Sequence, residues 1–390
     1  MDPIDPKAHD GLGGVEFRRG NLPKAIDHFR RAVALAPDAA VTRTNLGCAL
    51  LCMGQEAGAI EQLQTAILLS PHSAEAHLNL GAIDLLHGDF TSGWPRYEWR
   101  LRTRSFRARF PGRFWRGEPL EGDPIVLQEE QGLGDTIQFC RYAPLVAARG
   151  GRVILRVGTP LRRLLSSLPG IEAIADQVVP TDRPVPDARW VCPLQSLPSI
   201  FKTDLDSIPS SVPYLHVDPA RQAVFRQEMR SSDLNVGLVW AGSPRNPLDR
   251  LRSIELRQLG PLLDVEGVRL FSLQRGAPAA QRSAPSFARR VRALERETAD
   301  WVDTAAAIMA LDLVIAVDTA PAHLAGALGK PVWILLSHVP DWRWMLETPR
   351  SPWYPTARLF RQPTPGDWDA VITLVAAELR STVAARSRQG

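Results

Sequence analysis

The chain has 390 residues, 45% of them apolar, and a formal charge of +4. That length supplies cores for two or three domains, and the small positive excess, carried by arginine because only Lys7, Lys24, Lys202 and Lys330 are lysines, argues against nucleic-acid binding. The opening MDPIDPKAHDGLGG carries no basic-then-apolar leader, no stretch is apolar enough to span a membrane, and Cys48, Cys52, Cys140 and Cys192 form no CxxC pair, so a soluble chain in a reduced, cytoplasmic setting is expected.

The first hundred residues repeat. Gly13, Gly47 and Gly81 are spaced by 34 residues, as are Gly20, Gly54 and Gly88, and as are Leu12, Leu46 and Leu80. Ala25, Ala59 and Gly93 follow the same step, and Pro37 and Pro71 close the first two units. This period, with a small residue in each helix, resembles the tetratricopeptide repeat, a helix–turn–helix unit that stacks into a superhelix. Phe29, Leu63 and Tyr97 fill the space between paired helices, and Cys48 and Cys52 read as small core residues. The third unit departs at GWPRYEWRLRTRSFRARF, where Arg100 replaces Ala32 and Ala66. It reads as a cap that joins the array, residues 1–104, to the next domain through Trp94, Tyr97 and Trp99. The concave face of such arrays holds a peptide or protein.

A Gly-, Pro- and Trp-rich junction from Phe106 to Pro124 leads to PIVLQEEQGLGDTIQFCRYAPLVAARGGRVILRV. Its order is strand (Ile125–Gln128), glycine loop (Gly132, Gly134), helix (about Thr136–Ala148), a Gly150-Gly151 stop and strand (Arg152–Val157), which is the opening of a βαβ unit. A GxGD loop lets backbone approach a ligand and puts Asp135 at the helix start, either facing the ligand cleft or serving as a plain first-turn carboxylate. Without a third glycine and a downstream acidic residue, the loop does not favour NAD. Leu161–Leu168 reads as helical, WVCPLQSLP as a short strand and turn, and the first lobe spans 105–219.

A second lobe, 233–362, starts with the strand VGLVWAG and the loop GSPRNPLDRLRSI. Arg245, Arg250 and Arg252 there are diphosphate clamps or solvated surface charges. VRLFSLQRG ends a second strand at Gln274, positioned to hydrogen-bond a base or ribose. In LDLVIAVDTAPAHLAGALGKPVWILL, Leu313–Val317 is a continuous buried strand, Asp318-Thr319 supplies N-cap residues, Pro321 suits a first helical turn and Gly329 a helix stop. A helix N-terminus at the carboxyl end of a strand suits phosphate, although Asp318, Thr319 and His323 equally read as a cap and a packed ring. Trp342, Trp344, Trp353 and Tyr354 line a pocket or pack, and an amphipathic helix closes the chain from about Asp367 to Leu379.

DTAPAHLAGALGKPV and GLGDTIQF resemble the corresponding segments of the heptosyltransferase-like glycosyltransferases of family 9. With the repeats, EQGLGDTIQFCRY, GLVWAGSP and SPWYPTARLFRQ, the whole chain is similar to bacterial tetratricopeptide-repeat glycosyltransferases. The resemblance implies an all-α repeat superhelix followed by an α/β GT-B region of two Rossmann-like lobes, with residues 363–390 forming a helix that crosses back to the first lobe.

It further implies inverting transfer without a metal or other cofactor, the nucleotide sugar being a co-substrate. Asp135 would be the general base, and Gly134, Ser243, Arg250, Gln274, Asp318, Thr319, Ala320 and His323 would surround the donor. Family 9 heptosyltransferases have no repeats, so the array implies a protein or peptide acceptor, a flagellin-type surface protein being one case. Lipopolysaccharide or another surface glycan is the alternative acceptor, and a noncatalytic adaptor the alternative role.

Overall fold

The computed structural model describes residues 5–103, 106, 113–168, 178–180, 188–294, 298 and 300–388. Six helices form the array: α1 (Pro6–Arg18), α2 (Leu22–Leu35), α3 (Ala40–Cys52), α4 (Glu56–Leu69), α5 (Ala74–Leu86) and α6 (Phe90–Tyr97). The turns within the three pairs use Gly20, Gly54 and Gly88 at φ +79°, +74° and +80°, a conformation that glycine adopts without a Cβ penalty. Inside the pairs, a Cβ on Gly13 would stand 2.6 Å from the Phe29 ring and one on Gly47 would stand 2.8 Å from Leu63. The 34-residue step therefore records where one helix must lie against its partner.

In the third repeat, α6 gives way to a 3-10 turn over Glu98–Arg102. Trp94 and Tyr97 turn into the following domain, as expected. Trp99 does not: its ring stacks on His77 at 3.8 Å and carries the Arg102 guanidinium at 3.9 Å. Residues 104–105 and 107–112, which include the end of the basic-aromatic run and the start of the expected junction, lie outside the described residues.

Two parallel sheets follow. The first contains β1 (Arg113–Phe114), β2 (Pro124–Gln128), β3 (Arg152–Val157), β4 (Val178–Pro180) and β5 (Trp190–Pro193) in the order β1-β5-β2-β3-β4. The second contains β6 (Leu234–Val239), β7 (Val268–Ser272), β8 (Val291–Ala293), β9 (Leu313–Val317), β10 (Val332–Leu336) and β11 (Ala357–Arg361) in the order β11-β10-β9-β6-β7-β8. The second sheet starts in the middle, at β6, and winds outward both ways, and the first does the same from β2, with the short β1 added at its edge beside β5. The reversal falls between β2 and β5 in one sheet and between β6 and β9 in the other. At such switch points adjacent loops leave the carboxyl ends in opposite directions and open a crevice.

Burial follows the pleat. Leu313, Ile315 and Val317 pack into one core with the last helix, while Val314 and Ala316 join a core that runs without a break from Leu85, Trp94 and Tyr97 through the first sheet. Third repeat, first lobe and the inner face of the second lobe are thus one packed body.

Two expectations change. The helix after β2 is interrupted: Leu133–Phe139 is α-helical, Cys140–Tyr142 is 3-10 and Ala143–Ala147 is α-helical again, because Pro144 has no N–H to donate back to Cys140. Beyond the expected first-lobe limit, Pro219–Glu228 is a helix that leans on Trp301–Ala310 of the second lobe, with Gln222 Nε2 donating to Met309 O at 2.9 Å. The closing helix, Trp368–Ser387, is longer than expected and does not cross back. Its face of Trp368, Val371, Ile372, Val375 and Leu379 is buried with Leu256, Leu259 and Leu262 of the second lobe, and Arg386 pairs with Asp312 at 3.1 Å.

Candidate active site

The loops from the two switch points meet. After β2, Gly132 caps the helix Leu133–Phe139, and its N–H donates to Asp135 Oδ2 at 3.0 Å, which fixes that carboxylate at the helix start. After β9 come Asp318, Thr319 and the helix Ala320–Ala327. The two helix starts touch: a Cβ on Gly134 would lie 2.7 Å from His323 Cδ2 and 3.5 Å from the Ala320 Cα. Gly134 is therefore the residue that lets one lobe close on the other.

A charged cluster fills this junction. Arg343 Nη2 donates to Asp135 Oδ1 at 2.6 Å, and Arg343 Nη1 lies 3.5 Å from Asp341 Oδ2. His323 Nε2 faces Asp318 Oδ1 at 3.6 Å, and His323 Nδ1 meets the Tyr354 hydroxyl at 2.9 Å. Burial, reinforced by Arg343, lowers the His323 pKa against the pull of Asp318. The ring is thus neutral near pH 7, with Nε2–H toward Asp318 and Nδ1 accepting from Tyr354. Burial raises the Asp318 pKa, but His323, Arg252 and Arg343 overcome it and hold the carboxyl far below the usual range. Asp341 behaves oppositely: burial, with Asp318 and Asp135 adding to it against Arg343, pushes its carboxyl up to about 6. Its side chain keeps 36% of its surface open. Among the described residues no group of three or more His, Cys, Asp or Glu could hold a metal ion.

The other residues singled out from sequence divide. Thr319 stands at the N-cap but its side chain makes no capping hydrogen bond, and it and Ala320 are half-buried. Ser243 follows β6, beside β9 in the sheet, and is exposed. Arg250 stands away from the cluster: its Cβ is 3.7 Å from where a Cβ on Gly20 would lie, against the first repeat. The arginine near Asp318 is Arg252, whose guanidinium reaches Gly242 and pairs with Asp249 at 3.3 Å. Gln274 is buried and fully occupied: Oε1 accepts from the Trp240 and Ala241 N–H groups at 2.9 and 2.8 Å, while Nε2 donates to Ala241 O and Arg275 O. It clamps the loop after β6 and leaves nothing for a base or ribose. Trp342, Trp344, Trp353 and Tyr354 are core residues, each no more than 4% exposed.

Sequence reasoning missed Asp341 and Arg343, which sit between and beside tryptophans in DWRW and read there as aromatic packing. It also missed how far the third repeat enters the site. The Tyr97 hydroxyl donates to Gln195 Oε1 at 2.8 Å and accepts from Gln131 Nε2 at 3.3 Å, joining the loops after β5 and β2. The Trp94 and Tyr97 rings both meet Trp342 edge-on, at 5.3 and 5.6 Å. Arg100 is buried behind the GxGD loop, doubly bonded to Glu130 at 2.9 Å and bonded to Ser196 at 2.8 Å.

The tetratricopeptide-repeat family model matches residues 6–70. Among solved structures, the chain is similar to a glycosyl transferase family 9 protein of Veillonella parvula, with a TM-score of 0.49 and 11% identity over 71% of this chain and 100% of that one. It is also similar to the E. coli ADP-heptose heptosyltransferase II, with a TM-score of 0.43 and 14% identity over 68% of this chain and 99% of that one. At such scores neither likeness carries an argument about activity. The match in sequence is more extensive: protein FlbA of Caulobacter vibrioides is 30% identical over 401 aligned positions, spanning 96% of this chain and 67% of FlbA. By that identity along nearly its whole length, repeats and both lobes included, the chain belongs to the FlbA family.

Proposed function

We propose that the chain is a glycosyltransferase that moves a sugar, with inversion, from a nucleotide-diphosphate sugar to a protein acceptor held by the repeats. The observation that carries this reading is the meeting of the two switch-point loops, which sets Gly134, next to Asp135, against His323 and Ala320 at the helix start of the other lobe, with the Asp135 carboxylate on Arg343 of that lobe. Asp135 takes the acceptor hydroxyl proton as that oxygen attacks the anomeric carbon, and the bond to the diphosphate breaks on the opposite side. The leaving charge is met by the positive end of the helix Ala320–Ala327, by Ser243 and by Arg252 in the place expected for Arg250. These groups supply the positive potential that transfer needs without a metal ion. His323, neutral, buried and held between Tyr354 and Asp318, supports the helix start from behind, against Gly134, and does not itself touch the donor. A flagellin-type surface protein is one acceptor that fits a repeat array fused to such a cleft.

The test is turnover. The full chain is incubated with UDP-, GDP-, ADP-, dTDP- and CMP-sugars and a lysate of acceptor proteins, and release of free nucleotide and sugar-modified protein are followed. One donor is expected to be consumed, and Asp135→Asn to abolish transfer while the variant still binds that donor. An Asp135→Asn variant that transfers as well as the wild type ends the assignment. A wild-type chain that binds no nucleotide yet still holds a partner through its repeats supports the adaptor instead.

A further inference from the structure

Asp135 and Arg343 are 208 residues apart and belong to opposite lobes, yet they form a 2.6 Å ion pair whose side chains are only 14% and 7% exposed. The arginine is incompletely used. Two of its nitrogens face Asp135 and Asp341, while Nε is buried with no partner. A guanidinium offers five donors in a plane matched to paired oxygens, and a buried donor left unpaired costs about 1–3 kcal/mol. One donor of the fork is therefore left without an acceptor while two carboxylates share the other two nitrogens.

The backbone behind Arg343 is pinned. Arg361 Nη2 donates to Trp344 O and Met345 O at 3.2 and 2.5 Å, and Trp342 is wedged between Trp94, Tyr97 and Phe139. Asp135 is equally fixed through its bond to the Gly132 N–H. The Arg343 side chain itself is held over the Trp342 ring at 5.2 Å and by its two carboxylates, contacts between side chains that a competing anion can exchange.

Resting on the glycosyltransferase reading, we propose that Arg343 is an exchange residue. In the empty cleft it holds Asp135, and when a nucleoside diphosphate group enters it turns to the phosphate oxygens and releases Asp135. The released carboxylate then accepts the proton of the acceptor hydroxyl. As that oxygen bonds to the anomeric carbon, the bond from that carbon to the diphosphate oxygen breaks and its electron pair leaves on the diphosphate, where Arg343 meets the charge. The base is thus masked until the donor is present, which orders binding with donor before acceptor. Asp341 stays behind as the carboxylate that keeps the guanidinium in the cleft.

Competition for one guanidinium has a measurable signature. If Asp135 and the diphosphate exclude each other on Arg343, removing the Asp135 charge strengthens diphosphate binding by linkage. The experiment titrates the full chain calorimetrically with ADP, GDP, UDP, dTDP, CDP and inorganic pyrophosphate, for wild type, Asp135→Asn, Arg343→Gln and Arg343→Lys. Asn at 135 can still accept from the Gly132 N–H, so that variant keeps its fold. The expected result is that the diphosphate bound by wild type is held at least about threefold more tightly by Asp135→Asn and about tenfold less tightly by Arg343→Gln, with Arg343→Lys between them because lysine keeps the charge and loses the fork. Unchanged or weaker binding by Asp135→Asn overturns the proposal, as does wild-type affinity in Arg343→Gln or a wild-type chain that binds none of the probes. The turnover assay reads the catalytic assignment separately: a chain that shows the opposite affinity changes but transfers no sugar keeps the exchange and loses the enzyme.

Discussion

Arg100 is the perturbation with the largest calculable effect. Its residue surface is 4% exposed and that of Glu130 is 7%. Its guanidinium donates twice to Glu130 at 2.9 Å, once to Ser196 at 2.8 Å and once to Glu98 at 2.5 Å. Arg100→Leu leaves Glu130 buried with only the Gln195 N–H, at 2.9 Å, still donating to it. Removing one partner of such a pair costs about 3–5 kcal/mol, because the other charge stays desolvated. At about 2 °C per kcal/mol for a chain of this size, the melting temperature falls by about 6–10 °C. Burial already raises the Glu130 pKa against the pull of Arg100, and without Arg100 it rises further. The folded variant therefore holds a proton that the unfolded chain releases, and its stability falls as pH rises. The gap between variant and wild type should be smaller at pH 5 than at pH 8. Calorimetric melts at both pH values check this, together with Arg100→Leu/Glu130→Leu, which replaces the pair by apolar groups and should recover at least half of the loss. A single-variant loss under about 1 kcal/mol with no pH dependence would mean that Glu130 reaches water, and the reasoning would fail.

Three further outcomes follow from distances and charges already described. Gly134→Ala places a Cβ 2.7 Å from His323 Cδ2; overpacking of this kind costs about 1–3 kcal/mol, and the variant should melt lower and bind its nucleotide more weakly by calorimetry. Gly54→Ala sets a Cβ at φ +74° and 2.8 Å from His338 Nε2; a denaturant titration should show a loss of about 1–2 kcal/mol. Asp341 has its carboxyl raised from 3.8 to about 6, so its contribution to stability is present at pH 4 and lost as pH rises through about 6. Asp341→Asn cannot ionise, and its melting temperature should gain on the wild type across that window and level off above it.

Legibility in the sequence depended on whether a residue's neighbours were near in the chain. The strand Leu313–Val317 matches the expected bounds because a run of five aliphatic residues has no other use at that length, and Gly329, at φ +71°, stops the helix as expected. The repeats were legible because the helix glycines Gly13, Gly47 and Gly81 each meet a residue of their own pair. Gln274 was placed correctly at a strand end, but its partners are the backbone of Trp240 and Ala241, neighbours set by sheet order. Arg343 finds Asp135 across 208 residues, and nothing in DWRW points there. The closing helix shows the same limit: its apolar face requires that something be covered without saying which lobe.

The repeat array is not an arm tethered to a separate enzyme. Its turn glycines lie along the second lobe, Gly20 by Arg250, Gly54 by His338 and Gly88 by Met345, while Trp94, Tyr97 and Arg100 pack among the loops around the cleft. A flexible tether would raise the effective concentration of an acceptor and leave the catalytic lobes intact when cut. Here, removing residues 1–103 strips Glu130 of its cation, Gln195 of its Tyr97 partner and Trp342 of two aromatic neighbours. The truncated chain should therefore lose nucleotide binding along with acceptor binding, and it should melt without a sharp transition or aggregate. If residues 104–390 instead fold and bind the nucleotide with wild-type affinity, the contacts of the third repeat are dispensable and the array serves recruitment alone. The packing predicts otherwise: the repeats, proposed to select the acceptor, also build one wall of the site proposed to modify it.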